Sequence, residues 1–297
     1  MIFWEVIIPV FLIILVGYGI QNKCGLDIRS LTLPALHIMI PALVFTTFYE
    51  ATLDGTYAYI LIYGLLLMVS LVFIVRVFTN LLGLTPAEES AFQLSTVFMN
   101  NGNFGVPIIL FAFGDEVLSY GLAIMVLHLC YMSTFGIYFA ARGKYSLWNS
   151  FLGVLKMPVV HATVLAFVLK LPGMPAVPGN FYESIELLAN AAIPLVLLVL
   201  GMQLAEITVT NMEWNKVASA VVIRLVISTL IAVVIVFLLP VSELLGKVMI
   251  VQAAMPTAVV TTLYAVEFDC HPDFVSTVAF FTTLISALTL TVLLYFI

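Results

Sequence analysis

Charged residues are scarce in this sequence: Asp, Glu, Lys and Arg make up 9% of its 297 residues, while hydrophobic residues make up 63%. Soluble domains contain about 25% charged and about 45–50% apolar residues. This deficit leaves no segment polar enough for a water-soluble domain, which excludes a soluble catalytic domain and a nucleic-acid-binding protein. Apolar runs of about 20 residues, each long enough to cross a bilayer as a helix, instead follow one another. They predict an all-α integral membrane protein.

Cysteine is also scarce. The three cysteines, Cys24, Cys130 and Cys270, are odd in number and far apart, and they indicate neither a disulfide framework nor a metal site. The sequence also contains no phosphate-binding loop, metal-ligand spacing or nucleophile motif. We therefore expect a protein that is not an enzyme and that requires no metal and no cofactor.

Acidic residues are missing from the centres of the apolar runs; Glu50, Glu183 and Glu267, for example, lie near the ends of runs. A buried carboxylate is the usual proton carrier or cation ligand inside membrane proteins. Its absence argues against a cation as the substrate and against a carboxylate-based sodium site. An anionic ligand fits the sequence better.

Glycine, proline and charged residues divide the apolar sequence into ten predicted membrane spans. The spans cover residues 3–20, 31–49, 56–79, 87–113, 116–141, 147–170, 183–204, 215–239, 245–266 and 272–296. Thr85-Pro86-Ala87-Glu88 forms a capping box before span four, and His271-Pro272-Asp273 begins span ten. Eight of the ten Lys and Arg residues fall in or near alternate connections, so the positive-inside rule places both termini outside the cytoplasm.

A shared motif indicates an internal repeat. Pro194 follows Pro41 by 153 residues, each after an Ile, and the same spacing maps Pro256 onto Asn103. A repeated unit of five helices must enter the membrane from the opposite side, which gives the inverted repeat found in many secondary transporters. The alternative is coincidence among prolines in apolar sequence.

Two spans are interrupted at their centres. Span four contains three Asn, two Gly and one Pro between Asn100 and Pro107, and span nine contains Pro256 between Gln252 and Thr257. Backbone groups freed in a membrane helix need a partner from protein or from a water-lined cavity, so both interruptions point inward. If they cross, the N-terminal ends of the second halves present N–H groups and a positive dipole, which favours an anion. The alternative is that the Asn and Gly residues serve only close helix packing.

Four further residues are accessory candidates. His37 lies one turn before Pro41, and Pro194 is the repeat-related counterpart of Pro41. Arg224 lies two to three turns into span eight, where two interpretations remain open. Its side chain either extends to the cytoplasmic interface or attracts an anion into the inner vestibule.

Several segments resemble the auxin efflux carrier family, which includes plant carriers and bacterial carboxylate permeases. The similarity is closest from Ile250 to Pro256 and from Val266 to Thr277, which resemble the family's ninth and tenth helices. Asn100 to Pro107 resembles the fourth-helix crossover of bacterial members. Plant members carry Leu-Pro-Asn where this chain has Asn-Asn-Gly-Asn, and many have a long hydrophilic loop that this chain lacks.

The resemblance implies ten transmembrane helices in two inverted five-helix repeats, here residues 1–144 and 145–297, with broken helices four and nine crossing. Spans one, two, six and seven would form a scaffold, and spans three to five and eight to ten a mobile transport unit. The substrate would bind at the crossing, on positions that become Asn100, Asn101, Gly102, Asn103, Gln252, Pro256 and Thr257.

The sequence therefore predicts a secondary transporter of a small organic anion that works by alternating access in the cell membrane. The bacterial members imply a malate- or malonate-like carboxylate, and the plant members imply an auxin-like acid. A sodium-coupled symporter of the bile-acid type is one alternative, although a carboxylate would be expected where this chain has Gln252. A membrane receptor that only binds its ligand is another. The lipid bilayer and a small anion are the expected partners, without nucleic acid, and the fold is compatible with a homodimer.

Overall fold

The computed structural model describes residues 3–52, 54–142, 144, 146–209 and 213–297. Over these residues the chain forms thirteen helices and one isolated β-bridge. The helices are α1 (Phe3–Cys24), α2 (Ile28–Glu50), α3 (Thr56–Leu81), α4 (Pro86–Val97), α5 (Asn101–Phe113), α6 (Asp115–Ala140), α7 (Leu147–Val154), α8 (Pro158–Leu169), α9 (Gly179–Ala205), α10 (Trp214–Leu238), α11 (Glu243–Ala253), α12 (Val260–Glu267) and α13 (Pro272–Phe296). Met1 and Tyr145, the first residues of the two predicted repeats, lie outside the described residues.

Seven of the helices in the described part of the chain are long and apolar enough to cross a membrane: α1, α2, α3, α6, α9, α10 and α13. Helices α7 and α8 meet at a bend of 60° and would make an eighth crossing as one unit. The segments predicted as spans four and nine are each divided into two short helices, α4–α5 and α11–α12. The prediction that these two segments are interrupted is thus confirmed, while the number of ten crossings stays a prediction.

Local chemistry accounts for where several helices begin. The Thr85 side chain accepts a hydrogen bond from the Glu88 N–H, and the Glu88 carboxylate accepts one from the Thr85 N–H, so α4 starts with the predicted capping box. Pro272 is the first residue of α13 and follows His271, whose φ is 49°. Both starts agree with the sequence prediction.

Helices α1 and α9 approach each other very closely through two glycines. A Cβ atom at Gly17 would lie 2.1 Å from the Leu198 carbonyl oxygen, and one at Gly201 would lie 1.9 Å from the Ile14 carbonyl oxygen. Small residues allow helix backbones to approach in this way inside membranes. Helix α9 also packs on α2, and α2 packs on α8.

The remaining helices surround the two broken pairs. Helix α4 packs on α3 and α13, while α11 packs on α6 and α10. The segment from Val97 to Met99 and the residues Ala254 and Met255 are buried at the centre of this group. The interruptions therefore lie in the interior of the protein and not at its lipid-facing surface.

Candidate functional site

The two helix interruptions cross and pair with each other. The Asn100 N–H donates to the Pro256 carbonyl at 2.8 Å, and the Ala258 N–H donates to the Phe98 carbonyl at 3.0 Å. These bonds form an antiparallel β-bridge between Met99 and Thr257. Buried backbone groups must find partners, and here each interruption supplies the partners that the other one needs.

Neighbouring helices hold the crossing in place. The Thr257 hydroxyl donates to the Ser95 carbonyl at 2.5 Å, and the Thr257 N–H donates to the Thr282 hydroxyl of α13 at 3.1 Å. The Met99 N–H donates to Nε2 of His128 on α6 at 3.0 Å. Because Nε2 accepts this bond, it carries no proton, and the His128 ring is neutral in this arrangement.

A cavity of about 270 Å³ lies beside the crossing. Residues 99–103 of the first interruption line it together with Ala258 and Val260 of the second. Its other polar lining residues are Thr32, His128, Ser133, Gln203 and Tyr264, while aliphatic and Met side chains form much of the rest. The cavity is thus mostly apolar with a few polar groups, as is usual for small-molecule sites.

Several buried amide atoms of residues that line this cavity have no hydrogen-bond partner among the described residues. They are both amide atoms of Asn101, Nδ2 of Asn100 and Oε1 of Gln203. Asn101 is only 3% exposed, so water in bulk does not satisfy it. A buried polar group without a partner costs about 1–3 kcal/mol.

The charge pattern of the cavity lining favours an anion. Helices α5 and α12 both begin at the cavity, and a helix N-terminus carries about half a positive elementary charge. Within the described parts of the chain, no Asp or Glu side chain lines the cavity. Helix N-termini with nearby N–H donors are established anion sites.

Gln252 lies next to Asn101 at a second, smaller cavity of about 20 Å³, which has room for one water molecule. Its Nε2 donates to the Gly121 carbonyl at 3.3 Å, and its Oε1 has no partner in the described residues. A Cβ atom at Gly105 would lie 2.3 Å from that Oε1. Gln252 therefore fills a slot between two glycines on α5 and α6.

The structure brings together some of the sequence-predicted residues and separates others. Asn100, Asn101, Gly102 and Asn103 line the large cavity, Pro256 and Thr257 form the crossing, and Gln252 lies at the adjoining small cavity. His37 is exposed, with Nδ1 3.1 Å from the Leu33 carbonyl oxygen, Pro41 is buried within α2, and Pro194 is exposed on α9. These three accessory candidates lie apart from both cavities.

Arg224 lines neither of the two cavities. It is completely buried, so it does not extend to the membrane surface. Its Nη1 donates to the Thr96 carbonyl at 2.6 Å, and its Nη2 donates to the Ala253 carbonyl at 2.5 Å and to the Ser228 hydroxyl. It contacts the ends of α4 and α11 that precede the interruptions, whereas the large cavity is lined by residues within and after them.

The sequence analysis did not single out Gln203, Tyr264 or His128 as cavity residues. An amide near the end of the apolar run, at Gln203, was the available signal for the first. Tyr264 gives no local signal, because aromatic residues are ordinary throughout membrane helices.

Comparisons with known proteins show similarity to membrane transport proteins. The Mem_trans family model, described as membrane transport protein, matches residues 146–294. An uncharacterized transporter of Methanothermobacter thermautotrophicus is 26% identical over 296 residues, which cover 96% of this chain and 95% of that protein. One from Methanocaldococcus jannaschii is 23% identical over 302 aligned residues, covering 97% and 96%. Auxin efflux carrier component 1 of Arabidopsis thaliana is 30% identical over 119 residues, which cover 40% of this chain and 19% of that protein.

Proposed function

Because the chain belongs to the Mem_trans family of membrane transport proteins, the auxin efflux carrier family, we propose that its cargo is a small organic anion. The substrate class we favour is a malate- or malonate-like carboxylate, with an auxin-like acid as the second choice. The carboxylate would bind in the large cavity beside the crossing. Transport would proceed by alternating access around this point.

One observation carries the choice of an anion. Asn100 and Asn101, whose amides include unpartnered atoms, lie at the start of α5. They line a cavity that the first residue of α12, Val260, also lines, and the described lining includes no acidic residue. Amide N–H groups and helix N-termini together attract a carboxylate without a fixed cationic partner. The apolar remainder of the cavity suits the carbon skeleton of a small acid.

The arrangement of the helices supports the proposed repeat. In each half of the chain a long helix (α3 or α10) precedes a broken pair, and another long helix (α6 or α13) follows it. The proposal is ten membrane crossings in two inverted five-helix repeats, residues 1–144 and 145–297. Helices α1, α2, α7, α8 and α9 would form the scaffold, and the others the moving unit.

The proposed setting is the cell membrane, with both termini outside the cytoplasm, and the fold is compatible with a homodimer. A potential of 100 mV changes the free energy of one moved charge by about 2.3 kcal/mol. Export of an anion from a negative cell interior therefore needs no coupling ion.

Solid-supported-membrane electrophysiology on the purified protein in liposomes tests the proposal. Mono- and dicarboxylates and indole-3-acetate would be applied with and without Na⁺. We expect one acid to produce a current that is independent of Na⁺ and is lost in Asn103→Leu, because Asn103 lines the cavity. Asn80→Leu, at an exposed position on α3, is the matched control and should retain the current.

Three results would contradict the proposal. An unchanged current in Asn103→Leu would refute the assignment of the site. Strict Na⁺ dependence would favour the sodium-coupled alternative. Saturable binding of an acid without current or isotope counterflow would favour a binding-only receptor.

A further inference from the structure

Arg224 is a buried charge without an acidic partner among the described residues. Its described hydrogen bonds all go to neutral oxygen atoms: the carbonyls of Thr96 and Ala253 and the hydroxyl of Ser228. The Ser228 hydroxyl itself donates to the Ala253 carbonyl at 3.0 Å. A buried charge is very costly unless its surroundings compensate it, so these oxygen atoms must provide the compensation.

The two carbonyls belong to helix ends that are negative. Helix α4 ends at Val97, one residue after Thr96, and α11 ends at Ala253. Each helix C-terminus carries about half a negative elementary charge. Two such ends amount to about one negative charge, which the single guanidinium group matches.

The same oxygen set is of the kind that binds a metal cation. In transporters with discontinuous helices, freed backbone carbonyls and the C-terminal ends of half-helices coordinate the coupling ion. Here two carbonyls on different half-helices and one hydroxyl surround the guanidinium group of Arg224, which is part of the protein itself.

We propose that Arg224 is a tethered cation, that is, a positive charge fixed to the protein by its own side chain in the place of a bound coupling ion. It joins the first halves of both broken helices by their C-terminal ends. It makes a bound coupling cation at the crossing unnecessary. The positive ends of α5 and α12 are then left unopposed at the cavity. This part of the inference rests on the proposed transport of an anion. Arg224 acts through α4 and α11, so it is a positioning residue and does not itself bind the substrate.

The shape of the arginine side chain suits this role. A guanidinium group presents several donors in a rigid planar fork, which lets Nη1 and Nη2 reach carbonyls on two different helices at once. An ammonium group keeps the charge but has one nitrogen. A glutamine side chain keeps donors but lacks the charge, so both helix ends would lose their compensation.

Chemical rescue by guanidinium ions tests the tethered cation. Arg224→Ala opens space at the converging oxygens, and Arg76→Ala removes an exposed arginine on α3 as a control. Thermal unfolding in detergent and anion currents in liposomes would be measured with added guanidinium chloride at low millimolar concentration. The same concentration of NaCl serves as the salt control.

We expect Arg224→Ala to unfold at a lower temperature and to lose at least about tenfold of the current, since charge-assisted hydrogen bonds to both helix ends are removed. Guanidinium should raise its unfolding temperature and restore current, although the same ion does not stabilise the wild type. Arg76→Ala should match the wild type and show no rescue. Arg224→Lys should retain more current than Arg224→Gln.

Two outcomes would overturn the tethered cation. One is an Arg224→Gln variant that unfolds and transports like the wild type; the other is an Arg224→Ala variant that guanidinium does not stabilise. If Arg224→Ala does not fold, the comparison of Arg224→Lys with Arg224→Gln decides, because only the former keeps the charge. A wild-type protein that carries no tested acid would refute the proposed substrate class, while stabilisation of Arg224→Ala by guanidinium would still support the tethered cation.

Discussion

The close approach of α1 and α9 gives a prediction that can be worked out from distances. In Gly201→Ala the new Cβ atom would lie 1.9 Å from the Ile14 carbonyl oxygen. Carbon–oxygen contacts in proteins are about 3.3 Å or longer, so the two backbones must separate by roughly 1 Å or more. A radial gap of this size forfeits a quarter to a half of the local dispersion energy.

Overpacking of this kind costs about 1–3 kcal/mol. At about 2–3 kcal/mol, the unfolding temperature should fall by roughly 4–12 °C. Gly17→Ala should behave similarly, because its Cβ would lie 2.1 Å from the Leu198 carbonyl oxygen. The double variant should be destabilised by less than the sum, since one separation of the helices relieves both contacts.

Thermal unfolding in detergent micelles measures these differences. Gly19→Ala, on α1 like Gly17→Ala, is the control, because a Cβ atom at Gly19 would meet nothing within 4 Å. Alanine favours a helix over glycine by about 0.5–1 kcal/mol, so this variant should be unchanged or slightly more stable. Unfolding of Gly201→Ala at the wild-type temperature would refute the predicted clash between α1 and α9. Destabilisation of Gly19→Ala as large as that of Gly201→Ala would refute it as well.

Two further predictions concern the crossing and the cavity. Thr257→Val keeps the shape of the side chain but leaves the Ser95 carbonyl without its 2.5 Å hydrogen bond. Thermal unfolding should show a loss of about 1–3 kcal/mol of stability. A loss no larger than that of Thr291→Val, whose described hydroxyl bond stays within its own helix, would refute this prediction. Asn101→Asp places a carboxylate in the cavity. The anion current of this variant should be low at neutral pH and should rise as the pH falls, because the new carboxylate is then protonated. A pH profile equal to that of the wild type would count against an anion site there.

The interruptions in the helices were predictable from sequence because their cause is local. Gly, Pro and amide side chains between Asn100 and Pro107, and Pro256 in span nine, are unusual in the middle of apolar runs. Their mutual pairing rests on contacts such as Met99 with Thr257, which lie far apart in the chain. A single sequence carries no direct record of such a contact, and only the resemblance to a family indicated it.

The roles of Arg224 and of the glycines depend on what surrounds them and not on their neighbours in sequence. Gly17 and Gly19 are separated by one residue in an apolar helix. A Cβ atom at Gly17 would meet the backbone of α9, whereas a Cβ atom at Gly19 would meet open space. Likewise, the sequence around Arg224 shows an apolar run but not the two helix ends that converge on its side chain. Three-dimensional packing decides both cases.

The bridge between the two interruptions also has a consequence during synthesis. The Phe98 carbonyl and the Asn100 N–H reach the membrane long before Pro256 and Ala258, their partners in the finished protein. At about 5–20 residues per second, the ribosome needs roughly 10–30 s to deliver the second interruption. For that time the first broken pair needs water or the insertion machinery as its hydrogen-bonding partner. The nascent chain should therefore be most vulnerable to quality control while the ninth predicted span is still unmade.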